Sequence, residues 1–221
     1  MEGDVHMQYT REDGCLAWLT CGLLNPDQCA ALLDEFGSAE AIYERFMHAG
    51  GAFLKEYRVS DKSIKALAEC APSEKMHEMM VTMRKLDVGV MRLGDDKYPD
   101  ALMHIQQPPA ILFYRGAPDC LMGKCITVVG SRTASPQGQL VTRNICRDLA
   151  QAGVTIVSGL AMGIDSAAHE GCLEGGAPTA AILACGMDVD YPQENNDLRE
   201  RIVREGGVLL SEYPMGMHSG K

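Results

Sequence analysis

The sequence has few aromatic residues and no long apolar run. Aromatic side chains make up 5% of its 221 residues, which leaves little material for a surface that stacks successive bases. The longest uncharged stretch, residues 149–164, is too short to span a bilayer. Residues 1–7 are acidic and lack the apolar core of a secretory signal. We therefore expect no membrane span and a cytoplasmic location.

Metal-binding and disulfide patterns are also missing. The nine cysteines include no CxxC pair and are odd in number, and the six histidines form no HExxH motif. These absences argue against a metal site and against a disulfide framework. Four cysteines lie in apolar runs and are predicted to be core residues: Cys125, Cys146, Cys172 and Cys185.

Common cofactor and catalytic motifs are absent as well. The chain has no GxGxxG dinucleotide fingerprint, no GxxxxGK[ST] phosphate loop and no GxSxG nucleophile motif. We expect no cofactor. Asp165 and His169 are four residues apart on one predicted helix, so they share a face and could pair as a general base and its orienter. No nucleophile accompanies them, and a structural or ligand-positioning role is favoured.

The charge is negative overall but unevenly distributed. The net charge of −10 discourages a polyanionic partner. Residues 121–147, however, hold no acid and four cations, whereas residues 148–198 contain no Lys or Arg. The four cations are Lys124, Arg132, Arg143 and Arg147. A small cationic segment therefore lies within an acidic protein.

The first part of the chain has the pattern of short helices. Asn25 followed by Pro26 marks a helix start, Gly37 a helix end, and Ser38 the next start. Further helices are predicted near residues 60–70 and 73–86. We predict a small all-α domain over residues 1–86.

The second part, residues 87–221, alternates strands with helices. Two short strands and a proline-rich connection come first, and four β-branched or apolar strands separated by three helices follow. The four strands are predicted near residues 125–130, 154–159, 178–186 and 207–212. Such alternation implies right-handed crossovers and a parallel α/β sheet with helices on both faces.

Small and glycine residues follow the first two of these four strands. Gly130, Ser131 and Arg132 follow one, and residues 158–163 (SGLAMG) follow the next. Ligands bind at the carboxyl ends of parallel strands, where free N–H groups at helix starts suit an anion. Arg132 could add a guanidinium fork. The alternative is that the glycines only form turns and Arg132 pairs with an acid. We favour an anion site.

Four ordered motifs carry a family resemblance over residues 87–217: VVGSRTASPQG, VSGLAMGIDSAAHEGCLEGG, ILACGMDVDYPQENNDL and LLSEYPMG. Together they resemble the DNA-processing protein A (DprA) family, also called Smf. The resemblance implies a Rossmann-like fold preceded by a sterile-alpha-motif-like helical domain. It also implies binding and protection of incoming single-stranded DNA in natural transformation, and delivery of that DNA to the RecA recombinase.

The resemblance also assigns nucleic-acid-binding residues. The family's phosphate-binding loop corresponds to Gly130, Ser131 and Arg132. Its second anion-binding loop corresponds to the following residues, with the last of them on the helix behind: Ser158, Gly159, Gly163, Asp165 and His169.

Two departures from the family pattern matter. Met162 stands where the family often has Lys or Arg, which removes one cationic phosphate contact. The family sequence also continues past the SEYP motif into an FPxRNR-like segment that this chain does not contain. We therefore expect a homodimer interface that is incomplete in this chain.

Three functions are compatible with the residues. The first is a non-enzymatic single-stranded DNA-binding protein that loads RecA. The second is a nucleotide-processing Rossmann-like enzyme related to phosphoribohydrolases, although the PGGxGTxxE motif of such enzymes is absent. The third is a protein-interaction module in which the acidic helical region 1–86 is the working part.

Overall fold

A computed structural model describes residues 9–218 of the chain, so the acidic segment 1–7 lies outside the described residues. The first part is helical. Its α-helices are α1 (Arg11–Thr20), α2 (Pro26–Phe36), α3 (Ala39–Ala49), α4 (Asp61–Cys70) and α5 (Ser73–Leu86). A 3-10 helix, Gly51–Tyr57, lies between α3 and α4 and was not predicted.

Local capping explains where these helices begin and end. The Asn25 side chain accepts from the N–H of Gln28, whose side chain accepts from the N–H of Asn25, so the two form a capping box. Gly37 ends α2 in the left-handed conformation (φ 75°), and Ser38 then caps α3. The predictions at these three positions are confirmed.

The second part forms one six-stranded sheet. Its strands are β1 (Gly89–Arg92), β2 (Ile111–Gly116), β3 (Cys125–Thr127), β4 (Thr155–Ser158), β5 (Thr179–Leu183) and β6 (Val208–Ser211). The order is β1-β2-β6-β5-β4-β3. Strands β3 to β6 are parallel to one another, as predicted, whereas β1 and β2 extend the sheet as antiparallel neighbours.

Three helices cross between the parallel strands: α7 (Pro136–Gln151), α8 (Ile164–Glu174) and α9 (Asn196–Arg204). Each new strand is added on the same side of the last, so right-handed crossovers place α7, α8 and α9 on one face. The other face carries only the short α6 (Asp100–Met103) and a 3-10 helix, Pro118–Leu121, packed through Leu102 and Leu121. Helices on both faces are confirmed, but they cover the two faces unequally.

The helical part and the sheet share a hydrophobic core. Ala17 of α1 and Met83 of α5 belong to one buried cluster with Phe113, Ala181 and Leu209 of the sheet. The helical region therefore packs directly against the sheet. The division into domains 1–86 and 87–221 stays a prediction.

Strand β3 is an edge strand, and this position corrects one prediction. Cys146, Cys172 and Cys185 are buried as expected, but Cys125 on β3 is exposed, because no further strand covers that edge among residues 9–218. Within the same residues, none of the helices is both long and apolar enough to cross a membrane.

Candidate nucleic-acid interface

Two strand-to-helix loops meet at the carboxyl edge of the parallel strands. The first loop (residues 128–135) joins β3 to α7, and the second loop (residues 159–163) joins β4 to α8. The N–H of Ile164 donates to the carbonyl of Ser131 at 3.2 Å. A Cβ atom on Gly163 would lie 2.3 Å from that same carbonyl oxygen, and one on Gly130 would lie 2.7 Å from the Ile164 side chain. Glycine is required at both positions because the loops touch through their backbones.

The first loop presents unsatisfied donors to solvent. Gly130, Ser131 and Arg132 are all exposed. Within residues 9–218, their backbone N–H groups donate to no protein acceptor. The Ser131 hydroxyl accepts from the N–H of Thr133 at 3.1 Å, which holds the turn. Free N–H groups on a fixed turn form a concave surface suited to an anion.

Arg132 differs from the neighbouring arginines in its charge partners. Arg143 on α7 forms ion pairs with Glu170 and Glu174 on α8, and the hydrogen bond from Glu174 raises the pKa of the Arg143 guanidinium. Arg147 lies 3.6 Å from Asp148. No carboxylate of the described chain pairs with Arg132. The alternative that Arg132 pairs with an acid therefore finds no support in the structure.

The polar groups of the second loop point inward. Ser158, at the end of β4, is 2% exposed, and its hydroxyl donates to the carbonyl of Val128 at 2.6 Å. Gly163 is buried and has a φ of 87°. Gly159 and Met162 are the exposed residues of this loop. The hydroxyl of Ser158 thus joins the second loop to the first and is unavailable to a ligand.

Asp165 supports the second loop from within. It is 6% exposed and lies in the first turn of α8, where a carboxylate stabilises the helix N-terminus. Its Oδ2 accepts from the N–H of Ala161 at 3.4 Å. A Cβ on Gly159 would lie 2.9 Å from that same oxygen, so the loop folds closely over the carboxylate.

His169 is completely buried behind the second loop. The Thr179 hydroxyl donates to the carbonyl of Ile156 at 2.6 Å, so it accepts from His169 Nδ1 at 2.8 Å. Nε2 then has no partner among the described residues. Burial lowers the pKa of His169 from 6.5 to about 3, so the imidazole is neutral near pH 7. His169 bonds to Thr179 and Asp165 to Ala161, so the two do not act on each other.

The eight predicted site residues therefore fall into two sets. Four are exposed along the rim where the loops meet: Gly130, Ser131, Arg132 and Gly159. The other four are buried beneath that rim: Ser158, Gly163, Asp165 and His169. The structure brings all eight together but gives only the first set access to a ligand.

Two buried residues that the sequence did not single out hold the neighbouring loops. Asn195 donates through Nδ2 to the carbonyl of Leu160 at 2.8 Å and to the Ser166 hydroxyl at 2.9 Å. Leu160 has a φ of 57°, a costly conformation for a side chain this large, and Asn195 stabilises it. Arg199 donates to the carbonyls of Met187 and Val189 in the loop after β5. Polar residues flanking a helix start, as in QENNDLR, are the only sequence signal for this support.

Known proteins with similar sequences were compared next. Residues 89–221 match the sequence model of the family described as DNA recombination-mediator protein A. Protein Smf of Synechocystis is 42% identical over 126 residues, which are 55% of this chain and 31% of that protein. DNA processing protein DprA of Streptococcus pneumoniae is 42% identical over 122 residues, which are 55% of this chain and 43% of that protein. The chain thus matches less than half the length of these curated relatives.

Two solved structures are also similar. The X-ray structure of DprA from Streptococcus pneumoniae superposes with a TM-score of 0.67 at 28% identity, over 97% of this chain and 71% of that one. A structure of DNA processing protein A from Helicobacter pylori, described by its single-stranded DNA binding mode, gives a TM-score of 0.55 at 28% identity. That superposition covers 62% of this chain and 60% of the other.

The family match covers the whole sheet, both loops and the helices between them. The glycine and arginine positions that form the rim lie inside the matched region, as do the buried residues that support them. On this sequence match and on the fold it shares with DprA, the chain belongs to the DNA recombination-mediator protein A family, the DprA/Smf family.

Proposed function

We propose that this chain is a non-enzymatic single-stranded DNA-binding protein that captures the phosphate backbone at the first loop. The observation that carries the proposal is Arg132: it is exposed, pairs with no carboxylate of the described chain, and follows two exposed residues with free N–H groups. The described single-stranded DNA binding of the Helicobacter pylori relative supports the choice of ligand.

Backbone capture follows from the chemistry of the rim. Two or three backbone N–H groups and one guanidinium can each donate to phosphate oxygens, and the guanidinium can donate through two parallel N–H groups. Contacts of this kind carry no sequence information. We expect binding to single strands irrespective of sequence. The net charge of −10 opposes the polyanion, so affinity should fall as salt screens the local cations.

The buried set supports a binding role over catalysis. A general base needs a titratable group within reach of substrate. His169 is neutral near pH 7 and has no exposed atom, and Asp165 accepts from the Ala161 N–H inside the loop. If the chain were a phosphoribohydrolase-like enzyme, it would release free base from nucleoside monophosphates. We expect no such release.

Two further roles are proposed from the family resemblance. These are protection of incoming DNA with loading of RecA during natural transformation, and homodimer formation. RecA loading is tested by RecA filament assembly on single strands already coated with single-strand-binding protein. Faster assembly in the presence of this chain supports the role, and an unchanged rate counts against it. Sedimentation at increasing protein concentration tests dimer formation.

The test of DNA binding compares two arginines. Labelled oligo-dT is titrated by fluorescence anisotropy at two salt concentrations with wild type, Arg132→Ala and Arg143→Ala. Both variants lose one positive charge, but Arg143 already pairs with Glu170 and Glu174. We expect Arg132→Ala to weaken binding about tenfold, or about 1.4 kcal/mol, and to reduce the salt slope by about 0.7. Arg143→Ala should change affinity less than about twofold. Equal losses would mean that net charge, and not the first loop, governs binding.

A further inference from the structure

Two cysteines from distant parts of the helical region meet in space. Cys21 is the C-cap residue of α1, and Cys70 is the last residue of α4. Their thiols lie in hydrogen-bond contact with each other. Both side chains are partly exposed, so small solutes can reach them.

The packing of α1 against α4 holds this pair in place. Trp18 is fully buried, and its indole Nε1–H donates to the carbonyl of Leu67 at 2.9 Å. A Cβ on Gly22 would lie 3.0 Å from the Leu67 side chain, so the chain after Cys21 passes directly over α4. The contact between the thiols is therefore set by the core of the helical region and does not depend on mobile side chains.

The two thiols are chemically unequal. The hydrogen bond from the Cys21 thiol lowers the pKa of Cys70 to about 7, with a smaller lowering from the charge of Lys75; burial and Glu69 act in the opposite direction. The same hydrogen bond and burial raise the pKa of Cys21. Near pH 7 a large fraction of Cys70 is thiolate, the form that reacts with oxidants, while Cys21 stays protonated.

The other cysteines of the chain do not share this arrangement. Burial raises the pKa of each of them: Cys15, Cys29, Cys120, Cys125, Cys146, Cys172 and Cys185. Cys125 is the exposed one. No group of three or more metal-ligating side chains occurs within residues 9–218, so the Cys21–Cys70 pair is not part of a metal cluster there.

We propose that Cys21 and Cys70 form a peroxide-reactive dithiol that closes to an intramolecular disulfide. The Cys70 thiolate attacks one oxygen of hydrogen peroxide, giving Cys70 sulfenic acid and hydroxide, which takes up the proton that Cys70 had released. The Cys21 sulfur then attacks the Cys70 sulfur and displaces its hydroxyl, which leaves as water with the Cys21 proton. Two thiols are oxidised, and one peroxide is reduced to two waters.

The experiment treats the full chain with a small excess of hydrogen peroxide at pH 7. Intact mass and peptide mapping follow the products in wild type, Cys21→Ser, Cys21→Ala, Cys70→Ser and the control Cys125→Ser. Wild type and Cys125→Ser should lose two hydrogen atoms and yield a peptide that links Cys21 to Cys70. Cys70 should react at least about fivefold faster than Cys125, since its larger thiolate fraction outweighs its lower intrinsic nucleophilicity.

The Cys21 variants separate the two roles. Serine keeps a hydrogen-bond donor but cannot form a disulfide, so Cys21→Ser should accumulate Cys70 sulfenic acid that dimedone traps. Alanine removes the donor, so Cys21→Ala should slow the reaction of Cys70 toward that of Cys125. In Cys70→Ser, Cys21 should stay reduced. Far-ultraviolet circular dichroism checks that each variant is folded. Disulfides formed mainly through Cys125, or a Cys70 that reacts no faster than Cys125 in folded wild type, would overturn the proposal.

Discussion

The first and second loops follow the same strand-to-helix plan, and they use their polar groups in opposite ways. In the first loop, the N–H groups of residues 130–132 and the Arg132 side chain face solvent. In the second loop, the hydroxyl of Ser158 and the carboxylate of Asp165 are satisfied by backbone groups of the two loops. The first loop can bind, and the second fixes the shape that the first presents.

This division shows that a motif can include residues that never touch the ligand. Gly163 has no side chain, yet it determines how closely the second loop approaches Ser131 and Arg132. Experiments on the two loops should therefore separate loss of binding from loss of stability.

The largest effect is expected from Gly163→Ala. The new Cβ would lie 2.3 Å from the Ser131 carbonyl oxygen, at a φ of 87°. We expect the free energy of unfolding to fall by about 3 kcal/mol or more and the first loop to move. The matched control is Gly176→Ala, at a φ of 81° with no neighbour within 4 Å, which should cost about 1 kcal/mol. Urea denaturation of both variants measures the difference, and equal costs would remove the argument that the loops are wedged together.

The next effect concerns His169 and pH. The folded protein keeps His169 neutral down to a pKa of about 3, whereas the unfolded chain takes up a proton near its ordinary pKa of 6.5. Protons therefore favour the unfolded state, and stability is lost as the pH falls from 6.5 toward 3. Between pH 7.5 and pH 5 this group should contribute a loss of about 2 kcal/mol.

Denaturation of wild type and His169→Asn at the two pH values measures this contribution. Asparagine can place a donor where Nδ1 lies and does not titrate. The variant should lose about 2 kcal/mol less than wild type over that range. Parallel pH profiles would show that His169 is not buried as a neutral group.

A smaller effect is expected at Asp165. Asp165→Ala leaves the Ala161 N–H without its acceptor and should destabilise the fold by about 1 kcal/mol. Asp165→Asn keeps an acceptor and removes a negative charge beneath the rim, so oligo-dT affinity should stay equal or rise up to about twofold. Anisotropy and urea denaturation give both values. A loss of affinity in a stable Asp165→Asn variant would make Asp165 a ligand contact and break the division between the loops.

The smallest effect sharpens the role of the first loop. Arg132→Lys keeps the charge but loses the planar fork that binds phosphate through two N–H groups. We expect affinity for oligo-dT to fall about threefold, less than for Arg132→Ala, with stability unchanged within about 0.5 kcal/mol. If lysine bound as weakly as alanine, geometry alone would matter at this position; if it bound as well as arginine, charge alone would matter.

Features set by neighbours in sequence were predictable. The caps at Asn25 and Ser38, the left-handed Gly37 and the bounds of α7 and α8 follow from local propensity and turn chemistry. The convergence of the first two loops followed from parallel strand order, since the carboxyl ends of such strands share an edge.

Features set by residues far apart in sequence were not predictable in this way. The exposure of Cys125 depends on β3 being an edge strand. The ion pairs of Arg143 with Glu170 and Glu174 depend on the packing of α7 against α8, and the contact of Cys21 with Cys70 on the packing of α1 against α4. Local pattern carries no information about such partners, so it could not separate the free arginine from the paired one.

The most direct test is a nuclear magnetic resonance titration of the full chain with oligo-dT, following backbone amides and arginine Nε–H groups. The account predicts the largest shifts at the amides of residues 130–134 and at Nε of Arg132. It predicts a smaller change at Gly159 and little change at Ser158, Asp165 and His169, which are buried. Largest shifts at Arg143, or at the buried residues of the second loop with residues 130–134 unchanged, would contradict the claim that the first loop binds and the second supports it.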